Sequence, residues 1–150
     1  MSTIKPVIIL LAEDNPADSR LIERNLEKAR VYNELYIVED GVEAMDYLNR
    51  EGKYSDPKSS PRPDIFLLDI NMPKMDGKQV LEKMKSNPKL KNIPVIVLTT
   101  SNHERDIIDS YNLGVNAYLR KPLNIEEFRE MIHQFENFWM MWVVLPPTQE

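Results

Sequence analysis

Asp64-Ile65-Phe66-Leu67-Leu68-Asp69-Ile70-Asn71-Met72-Pro73-Lys74-Met75-Asp76-Gly77 is an apolar run that ends in a carboxylate and then turns. Ile65 to Leu68 are too few for a helix face and lack polar alternation, so they predict a strand buried on both sides. Asp69 then falls at the strand's carboxyl end, the edge of an open parallel sheet where ligands bind. Pro73 and Asp76-Gly77 supply turn chemistry before the chain becomes helical.

Working outward, Val7 to Ala12 is a second uninterrupted apolar run and ends in acid at Glu13-Asp14. Asn15 followed by Pro16 has the pattern of a helix start, Asn as cap and Pro at the first helical position. Leu21, Ile22, Leu26 and Ala29 predict one buried face of a helix reaching about Arg30. Leu35 to Val38 reads as the next strand, and Val42, Met45 and Leu48 as the stripe of a second helix closing near Gly52. Lys53 to Pro63 holds three prolines and three serines without periodicity. It is a loop, read either as a spacer or as a partner surface.

Beyond the Asp69 strand, Val80, Leu81 and Met84 mark a third helix ended by Asn87-Pro88. Ile93 to Leu98 is a fourth strand running into Thr99-Thr100-Ser101. Ile107, Ile108 and Tyr111 predict a fourth helix, with Gly114 as its C-terminal cap. Asn116 to Leu119 is a short fifth strand leading to Arg120-Lys121-Pro122. Asn124 and Glu127 stand in capping-box spacing at the head of a last helix, with Phe128, Met131, Ile132, Phe135 and Phe138 or Trp139 on its face. Five strands alternating with five helices argue for one doubly wound α/β domain.

Composition narrows the function classes. The 150 residues suffice for one sizeable core, and a formal net charge of -5 disfavours sequence-independent nucleic-acid binding. The lysines from Lys83 to Lys91 read as a solvated helix end. The chain has no cysteine, which excludes disulfides and thiolate chemistry. It shows neither a signal-peptide core nor an apolar run of the roughly 18 residues a membrane span needs, so a cytoplasmic location is expected.

Several strand ends deliver chemistry to one edge: Glu13 and Asp14, Asp69, Thr99 and Lys121. Taken singly, Glu13-Asp14 also reads as a helix cap, Thr99 as a backbone-satisfied hydroxyl and Lys121 as a surface charge. Together they read as a site. Three apposed carboxylates repel unless a cation relieves them, and oxygen-only ligands point to Mg²⁺. A hydroxyl and an ammonium opposite the metal complete a cradle for a phosphoryl group, with Asp69 as nucleophile.

These residues, with Leu67-Leu68-Asp69-Ile70-Asn71-Met72-Pro73-Lys74-Met75-Asp76-Gly77 and Lys121-Pro122, resemble the response regulator receiver family over about residues 7 to 136. The resemblance implies a flavodoxin-like five-stranded parallel sheet of order 2-1-3-4-5 with five helices. It implies that Asp69 accepts a phosphoryl group from a histidine kinase, and that Asp14, Asp69 and the Asn71 backbone carbonyl hold Mg²⁺ with Glu13 assisting. Thr99 and Lys121 would bind phosphoryl oxygens, and Tyr118 matches the aromatic switch position. The expected activity is confined to the chain's own phosphorylation and dephosphorylation. More narrowly, the Glu13-Asp14-Asn15-Pro16-Ala17-Asp18-Ser19-Arg20 opening, the Ser/Pro-rich insertion and the apolar tail resemble single-domain regulators that partner cyanobacterial phytochromes.

The expected division is a receiver over 1–137 and a tail over 138–150. From Phe138 to Leu145 the tail is apolar on every face. If Phe138, Trp139 and Trp142 each left roughly 150 Å² in water, the cost at ~25 cal/mol per Å² would be about 11 kcal/mol. That rivals the stability of a whole domain, so the tail must be covered. A homodimer through Phe135, Phe138, Trp139 and Trp142 is the expectation, against the alternative that the tail folds back on its own domain. With no DNA-binding or catalytic domain following the receiver, output by protein contact or phosphate relay is expected. His103 and His133 stand alone in helical segments and read as surface residues.

Three rivals remain for comparison. A haloacid dehalogenase-type phosphatase also uses a strand-end Asp, but needs a second acid where this chain has Asn71. A nucleotide switch needs a Gly-rich loop, and the four glycines are scattered. A phosphate-independent dimeric scaffold would bind partners equally well with Asp69→Asn.

Overall fold

A computed structural model of the chain describes residues 6–28, 32–124, 126, 127 and 130. The strands are β1 (Val7–Ala12), β2 (Asn33–Val38), β3 (Ile65–Asp69), β4 (Val95–Thr99) and β5 (Ala117–Arg120). They form one parallel sheet in the order β2-β1-β3-β4-β5, as expected. Between them run α1 (Pro16–Lys28), α2 (Gly41–Asn49), α3 (Gly77–Lys85) and α4 (Asn102–Ser110). Asn124 Oδ1 accepts the N–H groups of Glu126 and Glu127, one half of the capping box expected at the head of a fifth helix. Most of that helix face and the whole tail lie outside the described residues. So do Phe135, Phe138, Trp139 and Trp142.

The unbroken apolar runs are explained by the two faces they cover. Val7, Ile9 and Leu11, with Ile65, Leu67, Ile96 and Leu98, pack with Ile22 and Leu26 of α1. Leu10, Ala12, Phe66, Leu68, Val95 and Val97 point to the opposite face, under α2 and α3. Alternation therefore exists in space but not in polarity.

Four predicted stripe residues face solvent instead. Leu21, Val42, Ile107 and Tyr111 are all exposed, Tyr111 by 52%. Leu21 and Ile107 each precede a buried neighbour, Ile22 and Ile108, and one helical residue is a rotation of about 100°. That takes them off the narrow face each helix offers the sheet. Nor does Gly114 cap α4. The helix ends at Ser110 with Tyr111 as cap, and Asn112 makes the left-handed turn at φ 50. Asn tolerates that region because its short polar side chain bonds locally.

The 53–63 insertion is stitched onto α2. The buried Ser60 hydroxyl donates to the Tyr54 carbonyl at 2.8 Å, and the Tyr47 hydroxyl to the Pro61 carbonyl at 2.7 Å. Arg50 donates to the Ser60 carbonyl and Arg62 to the Leu48 carbonyl. These bonds pair polar backbone that the prolines leave without a ladder. Among the described residues no helix is long and apolar enough to cross a membrane.

Candidate functional site

The parallel sheet brings the carboxyl ends of β1, β3, β4 and β5 to one edge. β1 runs into Glu13, which is buried, and Asp14, which is exposed. Asp69 closes β3 and Thr99 closes β4, each at most 5% exposed. Lys121 follows β5, and its N–H donates to the Thr99 carbonyl at 2.9 Å. Glu13, Asp14, Asp69, Thr99 and Lys121 therefore lie along this edge.

Glu13, Asp14 and Asp69 each place a carboxylate oxygen within 4.8 Å of the others. The Lys121 ammonium lies among them, 2.6 Å from Glu13, 3.0 Å from Asp18 and 3.4 Å from Asp69. Burial pushes the Glu13 carboxyl up to about 7; Lys121 opposes that rise and the Asp69 charge adds to it. Burial draws Lys121 down, but the carboxylates of Glu13 and Asp18 outweigh it and hold the ammonium above the ordinary lysine range. Glu13 Oε1 is buried and ion-paired with that ammonium, and among the described residues no donor meets it in hydrogen-bond geometry.

Three clustered carboxylates, two of which share one ammonium, are a donor set that suits a hard divalent cation. The backbone supports it. Asp69 Oδ1 accepts the Asn71 N–H at 3.2 Å, and Glu13 Oε2 accepts the Asn15 N–H at 3.2 Å. Behind Asp69, α3 begins with a capping box in which Asp76 and Gln79 satisfy each other's N–H groups. A Cβ on Gly77 would lie 2.8 Å from the Asp69 carbonyl oxygen, so only glycine lets the helix start so close.

Two acidic residues at the site were not singled out in the sequence. Asp18 shares Lys121, from the first turn of α1. Glu104 accepts the Thr99 hydroxyl at 2.6 Å and the side-chain amide of Asn71. Ser101-x-x-Glu104 has capping-box spacing, which signals a helix start. Ser101 does cap α4, accepting from the Glu104 N–H, while the Glu104 side chain reaches past it to Thr99. Burial alone would raise the Glu104 carboxyl; the hydrogen bonds from Thr99, Asn71 and Thr100 outweigh it and hold the group below the ordinary range. Tyr118 is half-buried, and its hydroxyl donates to Asp109 of α4. Burial, reinforced by that bond, pushes the phenol up.

Residues 9–133 match the response regulator receiver domain. The chain belongs to the response regulator receiver family. Response regulator Rcp1 of Synechocystis sp. (strain ATCC 27184 / PCC 6803 / Kazusa) is 48% identical over 141 residues, which are 94% of each chain. The Mn²⁺-bound form of Rcp1 superposes with a TM-score of 0.71 at 48% identity, covering 95% of this chain and all of that one. A phosphorylated cyanobacterial phytochrome response regulator, RcpA, superposes at 0.73 with 46% identity, covering 91% of this chain and 95% of that one. Rcp1 carries Mn²⁺ in that structure, and this chain has a three-carboxylate cluster of its own at the sheet edge.

Proposed function

We propose that this chain is a phosphoacceptor switch: Asp69 takes a phosphoryl group from the phosphohistidine of a histidine kinase, with Mg²⁺ as cofactor. The observation that carries the reading is Asp69 itself, buried at a strand end, 3.4 Å from the Lys121 ammonium and clustered with Glu13 and Asp14. A carboxylate oxygen of Asp69 attacks phosphorus. The nitrogen–phosphorus bond breaks, its electron pair returns to the imidazole, which takes up a proton, and an acyl phosphate is left on Asp69.

Asp14, Asp69 and the Asn71 backbone carbonyl would hold the cation, with Glu13 assisting through water. Bound there, Mg²⁺ would neutralise charge on the phosphoryl oxygens. Lys121 would swing from its bonds with Glu13 and Asp18 onto the phosphoryl group, and Thr99 would donate its hydroxyl from the other side. The ligated state gains only what those new contacts exceed the old ones by. Tyr118 would exchange its outward bond to Asp109 for a position turned toward the space Thr99 leaves.

The phytochrome response regulator among the similar structures supports a phytochrome as the kinase. A homodimer through the C-terminal helix and tail is proposed on the apolar sequence of 138–145.

Intact mass after incubation with Mg²⁺ and acetyl phosphate tests the central claim. A single phosphoryl adduct on the wild type, absent from Asp69→Asn and removed by hydroxylamine, is the expected result. No adduct on either protein would leave a phosphate-independent scaffold.

A further inference from the structure

Glu104 has no part in the phosphoryl chemistry above, yet its carboxylate ties together the two loops that flank Asp69. Oε1 accepts the Thr99 hydroxyl at 2.6 Å, the Thr100 N–H at 3.1 Å and the Thr100 hydroxyl at 3.2 Å. Oε2 accepts from the side-chain amide of Asn71. Thr99 ends β4 and Asn71 follows β3, while Glu104 stands in the first turn of α4.

A hydroxyl has one proton to give. Thr99 Oγ1 lies 3.0 Å from the Ser101 carbonyl and 2.6 Å from the Glu104 carboxylate, and it accepts the Ser101 N–H at 3.2 Å. The shorter contact, to an ionised acceptor, takes the proton. A phosphoryl oxygen on Asp69 needs that same proton. It and the Glu104 carboxylate are both anionic acceptors, so they cannot share it. They compete.

We infer that Glu104 is a positioning residue that holds the Thr99 hydroxyl off the acceptor site until a phosphoryl group displaces it, freeing the first turn of α4. The inference rests on Asp69 being the phosphoacceptor. Whatever the Thr99–Glu104 bond contributes to the unphosphorylated state is subtracted from the affinity of that state for a phosphoryl group. The displaced turn belongs to the helix whose Asp109 accepts the Tyr118 hydroxyl, so release at Thr99 bears directly on β5. Glu104 thus sets the threshold of the switch.

The test is the affinity of the full chain for beryllium fluoride with Mg²⁺, a phosphoryl mimic, measured by calorimetry alongside amide exchange of residues 99–106 in the free protein. Glu104→Gln should bind roughly tenfold more tightly, because a neutral acceptor holds the hydroxyl less well. Its amides at 99–106 should exchange faster before any ligand is added. Asp106→Asn, an exposed position in the same helix, removes an equal charge without touching Thr99 and should leave the affinity close to wild type. In a Thr99→Ala background the gain from Glu104→Gln should vanish. Unchanged or weaker binding by Glu104→Gln overturns the inference. So does a gain that survives Thr99→Ala or is matched by Asp106→Asn, since it would then be a bulk charge effect. If the wild type bound no beryllium fluoride, the phosphoacceptor reading itself would fall, and the role of Glu104 with it.

Discussion

The Lys121 ammonium lies 2.6 Å from Glu13 and 3.4 Å from Asp69, closer to the assisting carboxylate than to the proposed acceptor. The ammonium is therefore shared among Glu13, Asp18 and Asp69, and the lysine side chain is only 14% exposed. Two consequences follow, one for stability and one for switching.

Lys121→Ala leaves Glu13, Asp18 and Asp69 without their shared cation. Removing one partner of a buried ion pair costs about 3 kcal/mol, because the remaining charge stays desolvated. Chemical denaturation at pH 7 without Mg²⁺ should show a loss of that order, and added Mg²⁺ should restore part of it. The variant should still be phosphorylated, but the phosphorylation-dependent change in amide exchange should disappear. If the full change persisted, Lys121 would not be the group that couples phosphate to conformation.

Gly41→Ala acts on the same site from behind. A Cβ there would lie 1.9 Å from the Met75 carbonyl oxygen, a backbone atom that cannot rotate away. The loop carrying Asn71 and Met75 must shift, at a cost of about 1–3 kcal/mol for overpacking. Divalent cation affinity, read by calorimetry, should fall with stability. Gly52→Ala meets no atom of the described residues within 4 Å and bears the strain of its φ of +60. It should leave cation affinity unchanged.

The fold was legible because each strand contains an apolar run, and Glu13, Asp69, Thr99 and Lys121 because each sits at or just past the end of one. Asp69, directly after Ile65 to Leu68, is a position that polarity alone marks, whereas at the end of β5 Arg120 stands between Leu119 and Lys121. Asp18 and Glu104 were not legible for the opposite reason. Each is an acid in the first turn of a helix, where carboxylates are common and favourable on dipole grounds, so nothing in the pattern sets them apart. Their partners lie across the sheet edge or in the preceding loop, and only the folded chain brings them together. The exposed Leu21 and Val42 mark a second limit. Apolar residues at helical spacing locate a stripe, but its width depends on how the helix sits on the sheet.

The tail prediction rests on apolar area alone. Phe138, Trp139 and Trp142 belong to a stretch whose exposure would cost about 11 kcal/mol at ~25 cal/mol per Å². Self-association through Phe135, Phe138, Trp139 and Trp142 would bury that surface. Sedimentation of the full chain should therefore show a dimer, and a chain ending at Asn137 a monomer with normal phosphorylation by acetyl phosphate. Two monomers would mean that the tail is covered within its own chain.

Glu43 predicts a pH dependence away from the site. Its carboxylate accepts the Tyr54 hydroxyl at 2.6 Å and the Glu39 N–H at 2.7 Å, and pairs with Lys53 at 2.8 Å. Burial works to raise the carboxyl, but these partners outweigh it and hold the group below the ordinary glutamate value of 4.5. A depressed folded-state pKa means that the unfolded chain takes up the proton first as pH falls. The stabilisation is complete above about 4.5 and is lost as pH drops through the folded value. Glu43→Gln keeps the shape and removes the charge, so it should cost about 1–2 kcal/mol at pH 7, as for hydrogen bonds to an ionised acceptor. Urea denaturation of both proteins from pH 7 downward should show the two stabilities converging below the carboxylate range. A difference that stayed constant with pH would mean that packing of the 53–63 loop on α2, rather than the Glu43 charge, supplies the stabilisation.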